Sequence, residues 1–342
     1  MKEWARSRPK LDLHRHLEGS IRPETFLEIA RTHSIELPAS DLEGIRRFIQ
    51  ITDDPPGFHN FLGKLQLFRG FWPDRDAIRR VAYEAVEDAA ADNVIYLELR
   101  YAPGHFAQGG AGFAPLDVIE WVTEGARLAA AEHSIQVEFI ATLGRHYSLE
   151  ENTPTIDAVL EVGREGFVGL DIAGDEMNFG LEPFRDCLHR AKHAGLGLTL
   201  HAGEVTSAAH VRDAIQNYGA DRIGHGVQVI KDDSIVDLAR TRGTAFEICL
   251  TSNLQTAAVE ELGLHPAKPL LDRGLCITLN TDDPSVSRLT LSDEWAVALA
   301  DARFTVTDLE TTTRNAVSAA FLPEEAKRRL LRKLDLQGEY PP

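Results

Sequence analysis

Residues 10–17 read KLDLHRHL, a short run with leucines at positions 11, 13 and 17 and with two histidines near its end. Seven further short runs follow it, and longer amphipathic segments separate them. Strands that alternate with helical segments form repeated βα units around a parallel sheet. Because eight such units close a barrel, the sequence predicts an α/β fold, a (β/α)8 TIM barrel. The predicted strands are Lys10–Leu17, Val94–Ala102, Gln136–Leu143, Val168–Ala173, Leu196–Ala202, Asp221–His225, Thr244–Leu250 and Leu275–Asp282.

The segments between these runs have the spacing of helices. Residues 75–91 and 116–132 repeat apolar side chains three and four positions apart. The stretch 22–91 is long for one crossover, so we expect extra helices after strand 1, and EEAKRRLLRKL predicts another near the C-terminus, before a short polar tail. Because no Pro/Gly/Ser-rich linker interrupts the pattern, residues 1–342 are predicted to form a single domain.

The composition excludes several classes of protein. The chain has 342 residues, of which 43% are hydrophobic, so it can bury a large core, and disorder as its main state is excluded. Its 36 Lys and Arg against 53 Asp and Glu give a formal net charge of −17. That charge disfavours a nucleic-acid polymer or an anionic membrane surface as a partner. The charge does not exclude small neutral or cationic substrates.

Cysteine usage and the N-terminus indicate where the protein works. Cys187, Cys249 and Cys276 are too few and too scattered for a disulfide framework, and none belongs to a CxxC pair. The N-terminal sequence has no apolar signal region, and no stretch of the chain approaches the length of a membrane span. We therefore expect a soluble, cytoplasmic protein, and the sequence makes no prediction of its oligomeric state.

Polar residues that can carry chemistry follow the ends of five of the eight runs. In a parallel barrel the carboxyl ends of the strands meet at one face, where barrel enzymes build their active sites. This placement is the strongest sequence argument for an enzyme. The residues are His14 and His16 after strand 1, Gly174 and Asp175 after strand 4, His201 and Glu204 after strand 5, His225 after strand 6, and Asp282 and Asp283 after strand 8.

Three histidines and one aspartate of this set form a chemically sensible metal site. His14 and His16, two positions apart on a strand, point to the same face and can approach one cation together. Taken alone, the pair is more simply two partly exposed histidines, and His201 could be a hydrogen-bonded core histidine. Adding Asp282 favours Zn²⁺ with an open position for water. Because a bound divalent ion lowers the pKa of water toward neutrality, hydrolysis is the natural class of reaction.

Three further residues are candidates for proton transfer. Glu204 follows His201 in HAGE, where Gly203 lets the chain turn back toward the pocket; otherwise it is an ordinary carboxylate at a helix N-terminus. Near an apolar wall and an anionic neighbour its pKa would rise, which suits a proton donor. His225 in RIGHG could orient or deprotonate water, or could be a fifth ligand or a turn histidine. Asp283 could accept protons while Asp282 binds metal.

The motifs LHRHLEGSIRPE, DIAGDE, HAGE, RIGHG, CLTSN and LNTDDP, in this order and spacing, resemble the adenosine deaminase branch of the metal-dependent amidohydrolases. The resemblance runs from about Leu11 to about Lys333. It implies a barrel with one Zn²⁺ per chain and a small purine nucleoside as substrate. The implied reaction is the hydrolytic deamination of adenosine, and of 2′-deoxyadenosine, to inosine and ammonia. The implied zinc ligands are His14, His16, His201 and Asp282.

The resemblance also implies roles around the substrate. Glu204 would donate a proton to N1 of the purine, and His225 and Asp283 would orient and deprotonate the attacking water. Asp283 would also contact N7, and the Gly174 backbone would bind N3. The residues expected to contact substrate are His16, Glu18, Gly174 and Asp283, and those expected to form an apolar lid, unless they simply pack the inserted helices on the barrel, are Phe58, Phe61, Leu62 and Leu65.

Glu18 departs from the family pattern. Adenosine deaminases usually have Asp two residues after the HxH pair, where it contacts the ribose 5′-hydroxyl, and the extra methylene here moves the carboxylate by about 1.5 Å. The same Glu occurs in relatives that deaminate free adenine or 5′-modified adenosines of the methylthioadenosine or aminodeoxyfutalosine type. These substrates remain alternatives, although the rest of the sequence resembles the nucleoside enzymes more closely. Like-charge repulsion from Glu18 disfavours AMP.

Two other classes of function are weighed against the deaminase. An amidohydrolase with two metals would carry a carbamylated lysine after strand 4, but that strand reads VGLDIAGDE and has no lysine. A barrel reduced to a binding module would keep the pocket and not the proton-transfer groups, whereas Glu204, His225 and Asp283 are all present.

Overall fold

The strands of the barrel follow one another in chain order. The computed structural model describes residues 1–108 and 112–334, so the polar tail after Leu334 lies outside the described residues. Eight parallel strands form one sheet in which each pairs with its sequence neighbours, and this confirms the predicted (β/α)8 barrel. The strands are β1 (Lys10–His16), β2 (Val94–Tyr101), β3 (Gln136–Gly144), β4 (Gly169–Ala173), β5 (Gly197–His201), β6 (Arg222–Gly224), β7 (Ala245–Ile248) and β8 (Cys276–Leu279).

The barrel closes where β1 meets the segment that follows β8. The His16 backbone N–H donates to the Asp282 carbonyl at 2.8 Å, and the Asp282 N–H donates to the His14 carbonyl at 2.8 Å. Asp282 therefore continues the sheet for a few residues past the end of β8. This closure places the last candidate ligand beside the first two, although they lie at opposite ends of the sequence.

Helices surround the barrel, and the extra ones occur where the sequence predicts them. Four helices, α2 to α5, lie between β1 and β2, and α14 to α17 follow β8. No helix within residues 1–108 and 112–334 is long and apolar enough to cross a membrane. The helices are α1 (Lys2–Arg6), α2 (Pro23–Thr32), α3 (Leu42–Ile49), α4 (Phe58–Gly63), α5 (Arg75–Ala91), α6 (Pro103–Ala107), α7 (Pro115–His133), α8 (Leu149–Gly166), α9 (Arg185–His193), α10 (Ala208–Asn217), α11 (Asp233–Arg242), α12 (Leu250–Gln255), α13 (Ala267–Asp272), α14 (Pro284–Ser287), α15 (Leu291–Ala300), α16 (Val306–Ala319) and α17 (Glu324–Lys333).

The barrel interior is polar below the site. Arg100 on β2 pairs with Asp171 on β4 at 3.0 Å and with Glu247 on β7 at 2.7 Å. Arg222 on β6 pairs with the same Glu247 and with Glu98, each at 2.6 Å. All five side chains are buried. Because a buried charge is tolerated only when it is paired, this network fixes the carboxylates of β4 and β7 in place beneath the strand ends.

Candidate active site

A cavity of about 470 Å³ opens at the carboxyl ends of the strands, between the barrel and helix α4. It brings together nearly all of the predicted site residues. The remaining one, His14, is fully buried behind the cavity wall and contacts those that line it. The predicted residues that line the cavity are His16, Glu18, Gly174, Asp175, His201, Glu204, His225, Asp282 and Asp283.

The four predicted ligands converge on one point. One nitrogen or oxygen atom from each of His14, His16, His201 and Asp282 lies within 4.8 Å of the others. Nε2 of His14 and of His16 lie 3.1 and 3.5 Å from Asp282 Oδ1. The buried His14 Nε2 nevertheless makes no hydrogen bond among the described residues. Converging donor atoms with a buried, unbonded imidazole nitrogen fit a divalent cation, and three imidazoles with one carboxylate suit Zn²⁺.

A second group of possible ligands shares Asp282. His225, Cys249 and Asp282 also bring one atom each within 4.8 Å of one another. Burial raises the pKa of the Cys249 thiol well above its usual value, so the thiol keeps its proton. Because a thiolate is the form that binds metal, this group is the weaker candidate.

Carboxylates from the barrel interior hold the imidazoles of the cluster. Glu247 Oε2 lies 2.7 Å from His14 Nδ1, and Asp171 Oδ1 lies 3.0 Å from His201 Nδ1. Such partners fix which ring nitrogen faces a metal and raise its basicity. The sequence analysis missed Asp171 and Glu247. The available signal was an acidic residue in the middle of each of two otherwise apolar strands, VGLDIA and TAFEICL.

Three site residues adopt a left-handed backbone conformation. His225 and Asp282 have φ of 59° and 62°, and both follow the last residue of a strand by one to three positions. A positive φ is unfavourable for residues with a side chain and tends to occur at functional sites. Gly174 has φ of 99°, and a Cβ there would lie 2.7 Å from His146 Nδ1. Only glycine leaves the backbone open to the cavity at this point.

Glu204 is a buried carboxyl on the loop between β5 and α10. It lies before the first helical residue, Ala208, so the interpretation as an ordinary helix N-terminal carboxylate is wrong. Burial, followed by the carboxyls of Asp282 and Glu176, raises the pKa of Glu204 well above its usual value. A carboxyl that keeps its proton near neutral pH can serve as a general acid.

The Glu204 loop is held from both sides by residues that the sequence analysis missed. Glu176 accepts hydrogen bonds from the Gly203 N–H at 2.9 Å and the Val205 N–H at 2.6 Å. The Gln228 side chain donates to the Glu204 carbonyl at 2.9 Å. Glu176 belongs to the DIAGDE motif, which was noted in the sequence without a role for this residue.

Asp283 and Glu18 each present a buried, unbonded oxygen. Asp283 Oδ1 and Glu18 Oε2 have no hydrogen-bond partner within the described chain, while Glu18 Oε1 accepts the Ala102 N–H at 2.8 Å. Burial raises the pKa of Glu18 to about 7, and burial with the neighbouring carboxyl of Asp282 raises the pKa of Asp283 well above its usual value. A Cβ on Gly19 would lie 1.8 Å from Asp283 Oδ1, so a glycine is required beside it.

His225 is buried beside the cluster. Its Nε2 lies 3.9 Å from both Glu204 Oε2 and Asp282 Oδ2, and its Nδ1 lies 3.0 Å from Asn253 Nδ2. Burial lowers the pKa of His225 well below its usual value, so the ring is neutral. The structure places it next to the cavity and outside the group of four converging ligands.

The mouth of the cavity has an apolar and a polar wall. Phe58, Phe61, Leu62 and Leu65, predicted as a lid, all line it. The same cavity also has a group of polar lining residues, here called its polar wall, that the sequence analysis missed. Arg69 stacks over the Tyr147 ring at 4.5 Å, and burial together with Arg69 lowers the pKa of His105 to about 4. The polar wall contains Arg69, His105, Thr142, His146 and Tyr147.

Known proteins with this sequence pattern and fold are deaminases and related amidohydrolases. The adenosine deaminase family model matches residues 9–337. An adenosine deaminase of Erwinia tasmaniensis is 39% identical over 319 residues, covering 93% of this chain and 96% of that protein. An amidohydrolase of Burkholderia ambifaria with bound Zn superposes with a TM-score of 0.89 at 26% identity, covering 98% and 91% of the two chains. Arabidopsis ADAL in complex with IMP superposes with a TM-score of 0.85 at 28% identity, covering 97% and 98%. The chain belongs to the adenosine deaminase family.

Proposed function

We propose that this chain hydrolyses adenosine, and 2′-deoxyadenosine, to inosine and ammonia. The observation that carries the proposal is the juxtaposition, in one cavity, of the converging His14, His16, His201 and Asp282 with a buried acid, an unbonded buried carboxyl and a neutral imidazole. The acid is Glu204, the carboxyl is Asp283 and the imidazole is His225. Relatives named adenosine deaminase, 37–39% identical, support adenosine as the substrate.

The metal ligands would be His14, His16, His201 and Asp282, holding one zinc ion per chain. When bound there, zinc would supply a Lewis acid that lowers the pKa of water toward neutrality. Glu247 and Asp171 hold the second nitrogens of two of the imidazoles, which keeps the cluster in shape.

The reaction then depends on proton transfers by residues of the chain. Glu204 donates its proton to N1 of the purine, which makes C6 electrophilic. His225 and Asp283 orient the attacking water, and the neutral ring of His225 takes up one proton of the water as the oxygen bonds to C6. The backbone N–H of Gly174 donates to N3, and the protonated carboxyl of Asp283 donates to N7. His225 then returns that proton to the C6 amino group, the C6–N bond breaks and ammonia leaves. The remaining hydroxyl proton on C6 passes to Glu204, which leaves a carbonyl at C6 and restores the carboxyl.

Glu18 is the proposed determinant at the 5′ end of the substrate. Its Oε2 is buried, faces the cavity and has no partner among residues 1–108 and 112–334. A 5′-hydroxyl would satisfy that oxygen. A 5′-phosphate would place negative charge against a buried carboxyl, which is unfavourable, so we expect AMP to be a poor substrate.

The test is a substrate comparison on purified, zinc-loaded protein. Loss of purine absorbance and release of ammonia are followed with adenosine, 2′-deoxyadenosine, adenine, 5′-methylthioadenosine and AMP. Adenosine is expected to have the highest kcat/KM. If the protein turned over adenine or 5′-methylthioadenosine but not adenosine, adenosine would be the wrong substrate. The proposed deamination chemistry would still stand. No ammonia from any of the five would overturn the proposed function.

A further inference from the structure

Helix α12 (Leu250–Gln255) carries two side chains that contact residues of the candidate site. Ser252 Oγ donates to Asp282 Oδ2 at 2.6 Å. Asn253 Nδ2 lies 3.0 Å from His225 Nδ1. Both side chains of the helix are buried, at most 1% exposed. The position of a predicted metal ligand and that of a predicted proton-transfer residue therefore depend on where this helix lies.

The hydrogen bond from Ser252 determines which oxygen of Asp282 faces the ligand cluster. Asp282 Oδ1 lies 3.1 Å from His14 Nε2 and 3.5 Å from His16 Nε2, while Oδ2 is the oxygen that accepts from Ser252. A carboxylate turns easily about its terminal bond, and a hydrogen bond on one oxygen restricts that rotation. Partners of this kind orient a ligand toward the metal.

The amino end of α12 has no cap from its own sequence. The helix has six residues, and isolated helices shorter than about 12 residues are marginal in water. A helix usually begins after Ser, Thr, Asp or Asn, whose side chain accepts a hydrogen bond from one of the first free N–H groups. Here the preceding residue is Cys249, whose thiol makes no such bond. The first N–H groups of α12 therefore need an acceptor from another part of the chain.

Glu294 on helix α15 is that acceptor. It lies 44 positions beyond Leu250, in the first turn of α15, and its side chain is fully buried. Glu294 Oε2 accepts the Leu250 N–H at 2.8 Å, and Oε1 accepts the Thr251 N–H at 3.2 Å. These two donors are the first two residues of α12. A carboxylate at this end also interacts favourably with the helix dipole.

The burial of Glu294 is explained by this contact and not by the cavity. Burying a carboxyl is unfavourable unless its oxygens are hydrogen-bonded. Glu294 does not line the cavity, so it does not meet the substrate, and the donors it meets belong to α12. An apolar side chain could fill the same space, but it would leave two backbone N–H groups without their acceptor, which is costly. The carboxyl therefore serves the helix.

We propose that Glu294 is a positioning residue for the candidate metal site, which it serves by capping α12. Through Ser252 the cap orients Asp282, and through Asn253 it orients His225. Glu294 touches neither the substrate nor the four converging ligands, so it is not a catalytic residue. The inference rests on the proposed function, because it takes Asp282 as a zinc ligand.

The first test measures the affinity for zinc by competition with a chelator of known affinity. Glu294→Gln keeps one acceptor oxygen and places an NH₂ group against the other N–H, and Glu294→Ala keeps neither oxygen. Loss of a group that supports a metal ligand typically weakens metal binding by about 10- to 100-fold. Because Glu294 acts one step further away, we expect about a tenfold loss in Glu294→Gln and a larger loss in Glu294→Ala.

Wild-type zinc affinity in either variant would overturn the proposal. Glu294→Gln is nearly isosteric and decides the test if Glu294→Ala does not fold. The measurement does not depend on turnover of any substrate.

A matched control separates this role from a general loosening of α15. Asp92 is also buried, and its Oδ2 accepts the Ser292 N–H at 2.8 Å, at the start of α15. Asp92→Asn and Asp92→Ala remove a bond of the same kind on the helix that carries Glu294. We expect them to bind zinc as tightly as wild type, even where denaturant titration of metal-free protein shows the same loss of stability as in the Glu294 variants. Equal zinc losses at equal stability would show a merely structural role for Glu294.

The second test asks whether Glu294 reaches the metal site through Ser252. Ser252→Ala removes the bond to Asp282 and is itself expected to weaken zinc binding. We expect Glu294→Gln to have a smaller effect on zinc affinity in the Ser252→Ala background than in wild type, because both changes act on the same contact. Additive losses would show that Glu294 affects the site by another route and would contradict the proposal.

The third test uses adenosine turnover at saturating zinc. Because Glu294 lies outside the lining of the cavity, Glu294→Gln should lower kcat and leave KM nearly unchanged. A higher KM with an unchanged kcat would show that the variant alters the substrate pocket and not the orientation of the site, which is contrary to the proposal.

These outcomes are distinguishable from failure of the proposed function. If the wild-type protein released no ammonia from adenosine, the proposed function would fall, and the zinc affinities of the Glu294 and Asp92 variants would still decide the role of Glu294. If adenosine is turned over and the Glu294 variants bind zinc like wild type, only the positioning role of Glu294 is lost.

Discussion

The proposed metal-ligand cluster (His14, His16, His201 and Asp282) and the proposed substrate wall (Glu18 and Asp283) at the same cavity differ in how their polar atoms are bonded. In the cluster, the ring nitrogens turned away from the cavity are bonded: His14 Nδ1 to Glu247 at 2.7 Å and His201 Nδ1 to Asp171 at 3.0 Å. In the substrate wall, Glu18 Oε2 and Asp283 Oδ1 are buried and unbonded within the described residues. Both regions draw on residues at or just after the ends of β1 and β8.

The difference shows which buried polar atoms of the chain stay free to form hydrogen bonds with substrate and water. Native proteins satisfy nearly all buried polar groups, so two unsatisfied carboxyl oxygens on residues that line one cavity require an explanation. A substrate and a water molecule would provide their partners. The ligand cluster, in contrast, must keep its shape before any substrate arrives, and its carboxylate partners serve that purpose.

Loss of a ligand should have the largest effect. Asp282→Ala is expected to abolish zinc binding and to reduce the turnover of adenosine to background. It should also lower the melting temperature of zinc-loaded protein, because a ligand that binds only the folded state stabilises it by about 4 kcal/mol at 1,000 times Kd. Zinc content by elemental analysis and calorimetry provide the measurements. Exposed Asp186→Ala is the control, and unchanged zinc content in Asp282→Ala would contradict the ligand assignment.

The second prediction removes the proposed proton donor, Glu204, and leaves the metal-ligand cluster unchanged. Glu204→Gln is expected to lower kcat/KM for adenosine by about 10²- to 10⁴-fold, because an amide cannot give up the proton that N1 needs. Zinc content should stay at the wild-type level, since Glu204 is not among the four converging residues. A rate close to that of the wild type would remove Glu204 from the mechanism.

The third prediction concerns Glu247, the carboxylate that supports the metal-ligand cluster through His14. Glu247→Gln replaces the carboxylate that holds His14 Nδ1 and is expected to weaken zinc binding by about 10- to 100-fold. Competition with a chelator of known affinity measures this change. Glu18→Gln serves as the matched control, because it removes a buried carboxyl of the same cavity that has no bond to an imidazole. Equal zinc affinities in the two variants would show that Glu247 does not support the cluster.

The smallest expected effect concerns Glu18 of the substrate wall and the free energy of unfolding. In metal-free protein the pKa of Glu18 is about 7, above its ordinary value near 4.5, so the folded state keeps a proton that the unfolded state has already lost. Wild-type stability therefore decreases as pH rises from about 4.5 to about 7. Glu18→Gln removes that penalty and should raise the free energy of unfolding at pH 8 by on the order of 2 kcal/mol relative to wild type, and by less at pH 5. Denaturant titration of chelator-treated protein at both pH values checks this, and an equal difference at both would contradict it.

Much of the fold was predictable because its signals are local. The eight runs and the amphipathic segments between them are short-range patterns, and the structure confirms the barrel and the extra helices after β1 and β8. The site was predictable for a related reason. In a parallel barrel the ends of the strands must meet at one face, so residues at those ends converge whatever their distance in the chain.

What only the tertiary structure decided is which side chains bond to which others inside the barrel. His14 and Glu247 are 233 positions apart, and neither their spacing nor their neighbours indicate a contact. The contact of His265 with Asn253, and the unbonded oxygens of Glu18 and Asp283, could not be predicted from the sequence either. By itself, the sequence determined the barrel, the face that carries chemistry and the residues grouped there, because these follow from periodicity and from the ends of the strands. The hydrogen bonds and ion pairs that assign each residue a role depend on packing between distant segments, and only the folded chain sets that packing.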